Sequence, residues 1–146
     1  VCPKGYFKIP ASDKCFKIFL DKKRSWDEAN AWCQGKDMIM AKPDDPLTLK
    51  NYLNIRYGDK SGVGWPYVWL PARGTGSVVE WQDNSGRITS NSPLWYGSHP
   101  EGVTSSSYCL LLLTADSHRK SHPQSPYYME TCTSKNNYAL CERVNE

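Results

Sequence analysis

The stretch Leu94-Trp95-Tyr96-Gly97-Ser98-His99-Pro100-Glu101, running on through Gly102 and a string of serines to Cys109-Leu110-Leu111-Leu112-Leu113, decides the architecture. Its last part is an unbroken apolar run of strand length, which reads as a buried strand. The residues before it belong to a Ser-, Gly- and Pro-rich segment from Ile88 to Ser107. That is too long for a plain connection inside a compact domain, and irregular segments of this length usually carry function.

Working outward, Tyr67-Val68-Trp69-Leu70 and Val78-Val79-Glu80-Trp81 read as strands, the second closed by the turn Asp83-Asn84-Ser85-Gly86. On the other side, Ala115 to Pro126 reads as a polar loop and Asn137 to Glu142 as the last strand. Two helices precede all of this. Ser25-Trp26-Asp27-Glu28 fits a capping box, with the Ser25 hydroxyl accepting from the Glu28 N–H and the Glu28 carboxylate from the Ser25 N–H. Trp26, Ala29 and Cys33 then share one face, and Gly35 is the stop. Asp45-Pro46 opens the second helix, with Leu49, Tyr52, Leu53 and Arg56 at helical spacing and Gly58 as its end. At the start, Tyr6–Ile9 and Cys15–Phe19 read as a hairpin around the turn Pro10-Ala11-Ser12-Asp13. Lys22-Lys23-Arg24 reads as a solvated turn.

Composition sets the bounds. The 146 residues are the length of one domain, spanning 1–146, with no repeat and no linker. Hydrophobic residues make up only 39%, yet there are six Trp, nine Tyr and six Cys. Disordered chains lack aromatics, so this composition points to a loop-rich fold with an aromatic core. No apolar run approaches the roughly 18 residues of a membrane span. The net charge of +3 is too weak to suggest nucleic acid. The even cysteine count without C-x-x-C spacing argues against zinc ribbons and thioredoxin-like motifs and for disulfides, hence for a secreted or extracellular location. Spacing alone leaves the pairing open.

Order carries more than composition. Cys2-Pro3-Lys4-Gly5-Tyr6, Trp26-Asp27-Glu28-Ala29 with Cys33, Val68-Trp69-Leu70-Pro71-Ala72, Trp81-Gln82-Asp83, Leu94-Trp95-Tyr96-Gly97 with Pro100, Cys109, Cys132, and Tyr138-Ala139-Leu140-Cys141-Glu142 follow one another along the whole chain. This series resembles the C-type lectin-like domain in its long form with an N-terminal hairpin. Pro71 departs from the glycine usual there. The resemblance implies an α+β fold, two helices flanking small antiparallel sheets, with a long irregular loop. It also implies the disulfides Cys2–Cys15, Cys33–Cys141 and Cys109–Cys132, neighbouring termini, and a cis bond before Pro100.

In sugar-binding members, the resemblance implies, calcium is held by oxygen ligands from E-P-N or Q-P-D, from an acid before the post-loop cysteine, and from W-N-D before the next one. Calcium takes six to eight oxygens, and vicinal sugar hydroxyls can supply two. Here the first motif is His99-Pro100-Glu101. Imidazole suits calcium poorly, and Glu101 is the best surviving metal candidate. The acid position is Ser107, and the N-D pair falls on Tyr128-Met129 with Glu130 one residue on. The candidate ligand-binding residues are therefore His99, Glu101, Ser107, Tyr128 and Glu130. No cofactor is expected at this primary site, and an auxiliary calcium in the long loop stays open.

Tyr127-Tyr128 can stack on a sugar face or pack in the core, and Trp95 reads as core. His118 and His122 stand four apart, as in a zinc pair, but Pro123 follows and no third ligand is evident, so they read as solvated. No Ser/His/Asp or Cys/His arrangement stands out, and no enzyme is expected. The resemblance implies a secreted lectin for glycans or microbial surface polysaccharide, used in innate defence and pattern recognition, with non-standard or calcium-independent binding. The alternative is a module that binds a protein receptor through the long loop. Mineral or ice surfaces come last.

Overall fold

The computed structural model describes residues 2–10, 12–57, 67–96, 99–114 and 125–144. Along the chain, β1 (Phe16–Arg24) leads into α1 (Trp26–Gly35), β2 (Met38–Met40) and α2 (Pro46–Tyr57). Then come β3 (Val68–Gly74), β4 (Val79–Trp81), β5 (Arg87–Ile88), β6 (Tyr108–Leu112), β7 (Tyr127–Thr131) and β8 (Asn137–Arg143). The histidine pair His118 and His122, Gly58 and most of the polar loop 115–126 lie outside the described residues.

Strand β8 sits between β1 and β2 and runs antiparallel to both. Strand β3 carries β4 and then β5 on one side and β6 and then β7 on the other, again antiparallel. One parallel register, Val68 beside Tyr138, joins these two parts. The register of β3 against β6 shifts between Trp69 and Arg73. Pro71 lies inside that shift. Proline has no N–H to give a ladder and is tolerated at such irregularities. Its carbonyl still accepts the Gln82 N–H at 2.8 Å.

The apolar run has a direct cause. Side chains alternate faces along a strand. Leu110 and Leu112 of β6 enter one core cluster with Leu49 and Leu53 of α2. Cys109, Leu111 and Leu113 enter another with Trp26, Ala29 and Cys33 of α1. Both faces are covered, so every position is apolar. β8 behaves alike, with Tyr138 and Leu140 on the α2 side and Ala139 and Cys141 on the α1 side.

Local signals form as expected. Ser25 and Glu28 make both bonds of the capping box, at 3.3 and 3.0 Å. The Asp45 carboxylate accepts from the Thr48 N–H and hydroxyl at the start of α2. All three disulfides pair as the resemblance implies, and Cys33–Cys141 spans 108 residues. The Arg143 N–H donates to the Cys15 carbonyl at 3.0 Å, so the two ends of the described chain are neighbours.

Two expectations change, and β7 was not foreseen. The first strand of the hairpin shrinks to one bridge, Phe7 to Phe16, and the long partner of β1 is β8. Lys22-Lys23-Arg24 is no turn but the end of β1, and Arg24 is buried over the Trp32 ring at 4.0 Å, paired with Asp21 at 3.2 Å. Residues 127–131 are a full strand, with Tyr127 and Met129 inward.

Candidate functional site

The long segment begins at Thr89, since Arg87–Ile88 pairs with β4. It is pinned at three places. Trp95 is buried and its indole N–H donates to the Thr89 carbonyl at 2.8 Å. Backbone bonds on either side of it, from Tyr96 to Tyr127 and from Tyr127 to Leu94, lay the segment along β7 at 2.9 Å each. The return strand is fastened to the turn after β3: Gly76 N–H donates to Thr104 O at 3.0 Å, and Thr104 Oγ1 donates back to Gly76 O at 2.9 Å. Gly74 is required there, because a Cβ on it would lie 2.2 Å from the carbonyl oxygens of Thr104 and Ser105.

Between these anchors the His99–Pro100 bond is cis. The tripeptide His99-Pro100-Glu101 is split in direction. His99 turns to β7: its ring stacks on Tyr128 with centroids 4.1 Å apart, and Nδ1 accepts the Met129 N–H at 3.2 Å. Burial holds the imidazole pKa below its ordinary value. Tyr96 approaches the other partner, Tyr128, at 6.0 Å, so three rings line this edge. Pro100 and Glu101 instead line a cavity of about 560 Å³ with Gly76, Ser77, Ser90, Gly102 and Thr104.

The remaining predicted residues are engaged otherwise. The Ser107 carbonyl accepts the Cys132 N–H at 2.9 Å. The Glu130 carboxylate accepts from the Ser134 hydroxyl on one oxygen and from Asn137 Nδ2 at 3.1 Å on the other, bracing the β7–β8 turn. The structure thus brings His99 to Tyr128, sets Glu101 in a separate cavity, and gives Glu130 to the frame. Tyr127 is buried between Trp81 and Trp95, and burial pushes its phenol pKa up to about 12. It is a core residue, while Tyr128 faces outward. Tyr96, Ser77, Ser90 and Thr104 were not foreseen; the glycines flanking Thr75 were the only local sign that backbone comes close there.

This donor set does not fit calcium at the expected place. A hard cation needs several carboxylate and carbonyl oxygens. His99 offers a nitrogen already accepting a hydrogen bond, and each Glu130 oxygen already accepts one within the frame. Among the described residues no group of three or more His, Cys, Asp or Glu side chains stands together to hold a metal.

With fold and site in view, the chain can be set against known proteins. No protein-family profile matches it. Over 85 residues, 56% of this chain, it is 29% identical to human lymphocyte antigen 75, of whose length it spans only 5%. The cow C-type carbohydrate-recognition domain of CD23, solved in the presence of a GlcNAc2Man3 oligosaccharide, superposes with a TM-score of 0.67 at 16% identity, over 100% of this chain and 98% of that one. The Ca2+-independent C-type lectin SPL-2 from Saxidomus purpuratus superposes with a TM-score of 0.68 at 19% identity, over 97% and 92%. The described residues therefore adopt the C-type lectin-like fold, as a lectin-like module of α+β architecture with three disulfides. No helix among the described residues is long and apolar enough to cross a membrane.

Proposed function

We propose that this chain is an extracellular carbohydrate-recognition module. It binds glycans or microbial surface polymers through the long-loop surface, without the standard calcium site, in a defence role. The observation that carries the reading is the split of His99-Pro100-Glu101. Glu101 is an exposed carboxylate in a cavity with three hydroxyl side chains, Ser77, Ser90 and Thr104. A sugar's hydroxyls can both donate to the carboxylate and exchange hydrogen bonds with those hydroxyls. The half-buried rings of Tyr96, His99 and Tyr128 offer apolar faces at the edge beyond the cis bond. The three disulfides support an oxidising location.

A glycan array read with calcium and again with chelator tests this. Binding to a defined set of sugars in both conditions is expected. Binding abolished by chelator would overturn the calcium-free reading, and no signal in either condition would turn the case toward a protein partner.

A further inference from the structure

A second surface stands on elements that contribute nothing to the long loop: the N-terminal segment, β1, the end of α1, and the end of β8. Here cations lie over aromatic rings. Lys17 Nζ is 5.5 Å from the Tyr6 ring centroid and 5.4 Å from that of Phe19. The Arg143 guanidinium is 6.0 Å from the same Tyr6 ring. Lys36 Nζ is 4.6 Å from the Trp32 ring, which Phe19 meets edge-on at 5.5 Å and Arg24 covers at 4.0 Å. The Tyr6 hydroxyl is itself held, donating to the Met38 sulfur at 3.7 Å.

Tyr6, Lys36 and Arg143 line a cavity of about 380 Å³ with Asp37, Met38 and Val144. Among the described residues Asp37 is the one acid on its wall. Among the described residues Lys17, Lys36 and Arg143 make no ion pair, whereas Arg24 is paired with Asp21. Lys36 and Arg143 are exposed and Lys17 is half-buried. Rings beneath a cation attract it and hold its side chain, so less rotamer freedom is lost when an anion arrives.

We propose that this surface binds the sulfate or phosphate esters of an anionic polysaccharide, at a site separate from the long loop. Two cations on the cavity wall, Lys36 and Arg143, with Lys17 over the same Tyr6 ring as Arg143, match esters repeated along a polymer, since a single small anion would engage only part of the set. The rings lie under the cations, which leaves little free aromatic face for nucleic-acid bases to stack on. Val144, about half exposed on the cavity wall, makes an anionic lipid surface the rival to be tested.

The test is affinity chromatography of the intact chain on heparin and on a phosphomannan, with desulfated heparin and neutral mannan as controls. Retention on either charged polymer and not on its control is expected, and which one retains the chain identifies the ester. In the triple variant Lys17→Gln/Lys36→Gln/Arg143→Gln retention collapses. The slope of log affinity against log salt falls by roughly one per cation removed. Lys36→Gln alone, at an exposed position, should give a partial loss at unchanged thermal stability, and Glu101→Gln should give none. Equal retention of wild type and the triple variant, no retention at all, or binding confined to phosphatidylserine vesicles would each overturn the proposal.

Discussion

The central strands and the long loop are built by opposite rules. In β6, Cys109 to Leu112 are buried without exception, and each side chain enters a core cluster that also holds residues of α1 or α2. Between Thr89 and Ser107 the described residues are irregular and held at a few points: the buried Trp95 and the backbone bonds flanking it, the Gly76–Thr104 clasp, and the close approach over Gly74. Side chains in the first region are constrained by volume, while the exposed ones in the second, such as Glu101 and Ser107, can change chemistry without disturbing the frame. That difference accommodates an intact cysteine frame beside His99, Ser107 and Met129 at the positions where the resemblance implies Glu or Gln, an acid, and Asp.

The contrast can be broken hardest at the frame. Replacing Cys33 and Cys141 together by Ala opens a loop of 108 residues, and stability should drop by about 4–5 kcal/mol in the chain-entropy view. Denaturant unfolding measures it; a loss below about 1 kcal/mol would mean the packing of α1 on β8 holds that end unaided. Gly74→Ala strikes the joint between the two regions. Its Cβ meets two backbone carbonyls, so the cost should be about 1–3 kcal/mol, as for overpacking, with the loop's return displaced. Glycan binding should fall with it, and unchanged melting and binding together would refute the clasp.

His99 gives a smaller, pH-dependent effect. Its folded pKa lies below the ordinary imidazole value of about 6.5, so the unfolded chain binds the proton more readily. The associated stability is present above that value and is lost as pH falls through it, as protonation of Nδ1 removes the acceptor of the Met129 N–H. Thermal melts at about pH 7.5 and about pH 5 should therefore differ more in wild type than in His99→Gln. Parallel changes in both would assign the effect elsewhere. Smallest for stability is Glu101→Ala, an exposed loop position where melting should move by no more than about 0.5 kcal/mol while glycan binding falls. A large stability loss would give Glu101 a structural role.

Much of the fold was legible because its signals are local. The Ser25–Glu28 box, the Asp45-Pro46 start and the run from Cys109 each declare themselves within a few residues. Strand β7 was not legible. Its Tyr127-Tyr128-Met129-Glu130 alternates a core ring and a core methionine with a half-buried ring and a carboxylate, and the inward pair is apolar only in company with Trp81 and Trp95. The extension of β1 through Lys22-Lys23-Arg24 was hidden for a like reason: a buried guanidinium makes sense only once Trp32 lies beneath it.

The same division holds for function. By itself the sequence determined the helices, the buried strands and, by family resemblance, the disulfide frame and the weakening of the calcium motif. Caps, periodicity and residue order are properties of the chain alone. Only the tertiary structure decided that His99 faces Tyr128, that Glu101 faces a hydroxyl-lined cavity, that Glu130 braces a turn, and that Lys17, Lys36 and Arg143 gather over rings. Those outcomes depend on partners far away in sequence, and the direction of a side chain is settled by the surface it meets.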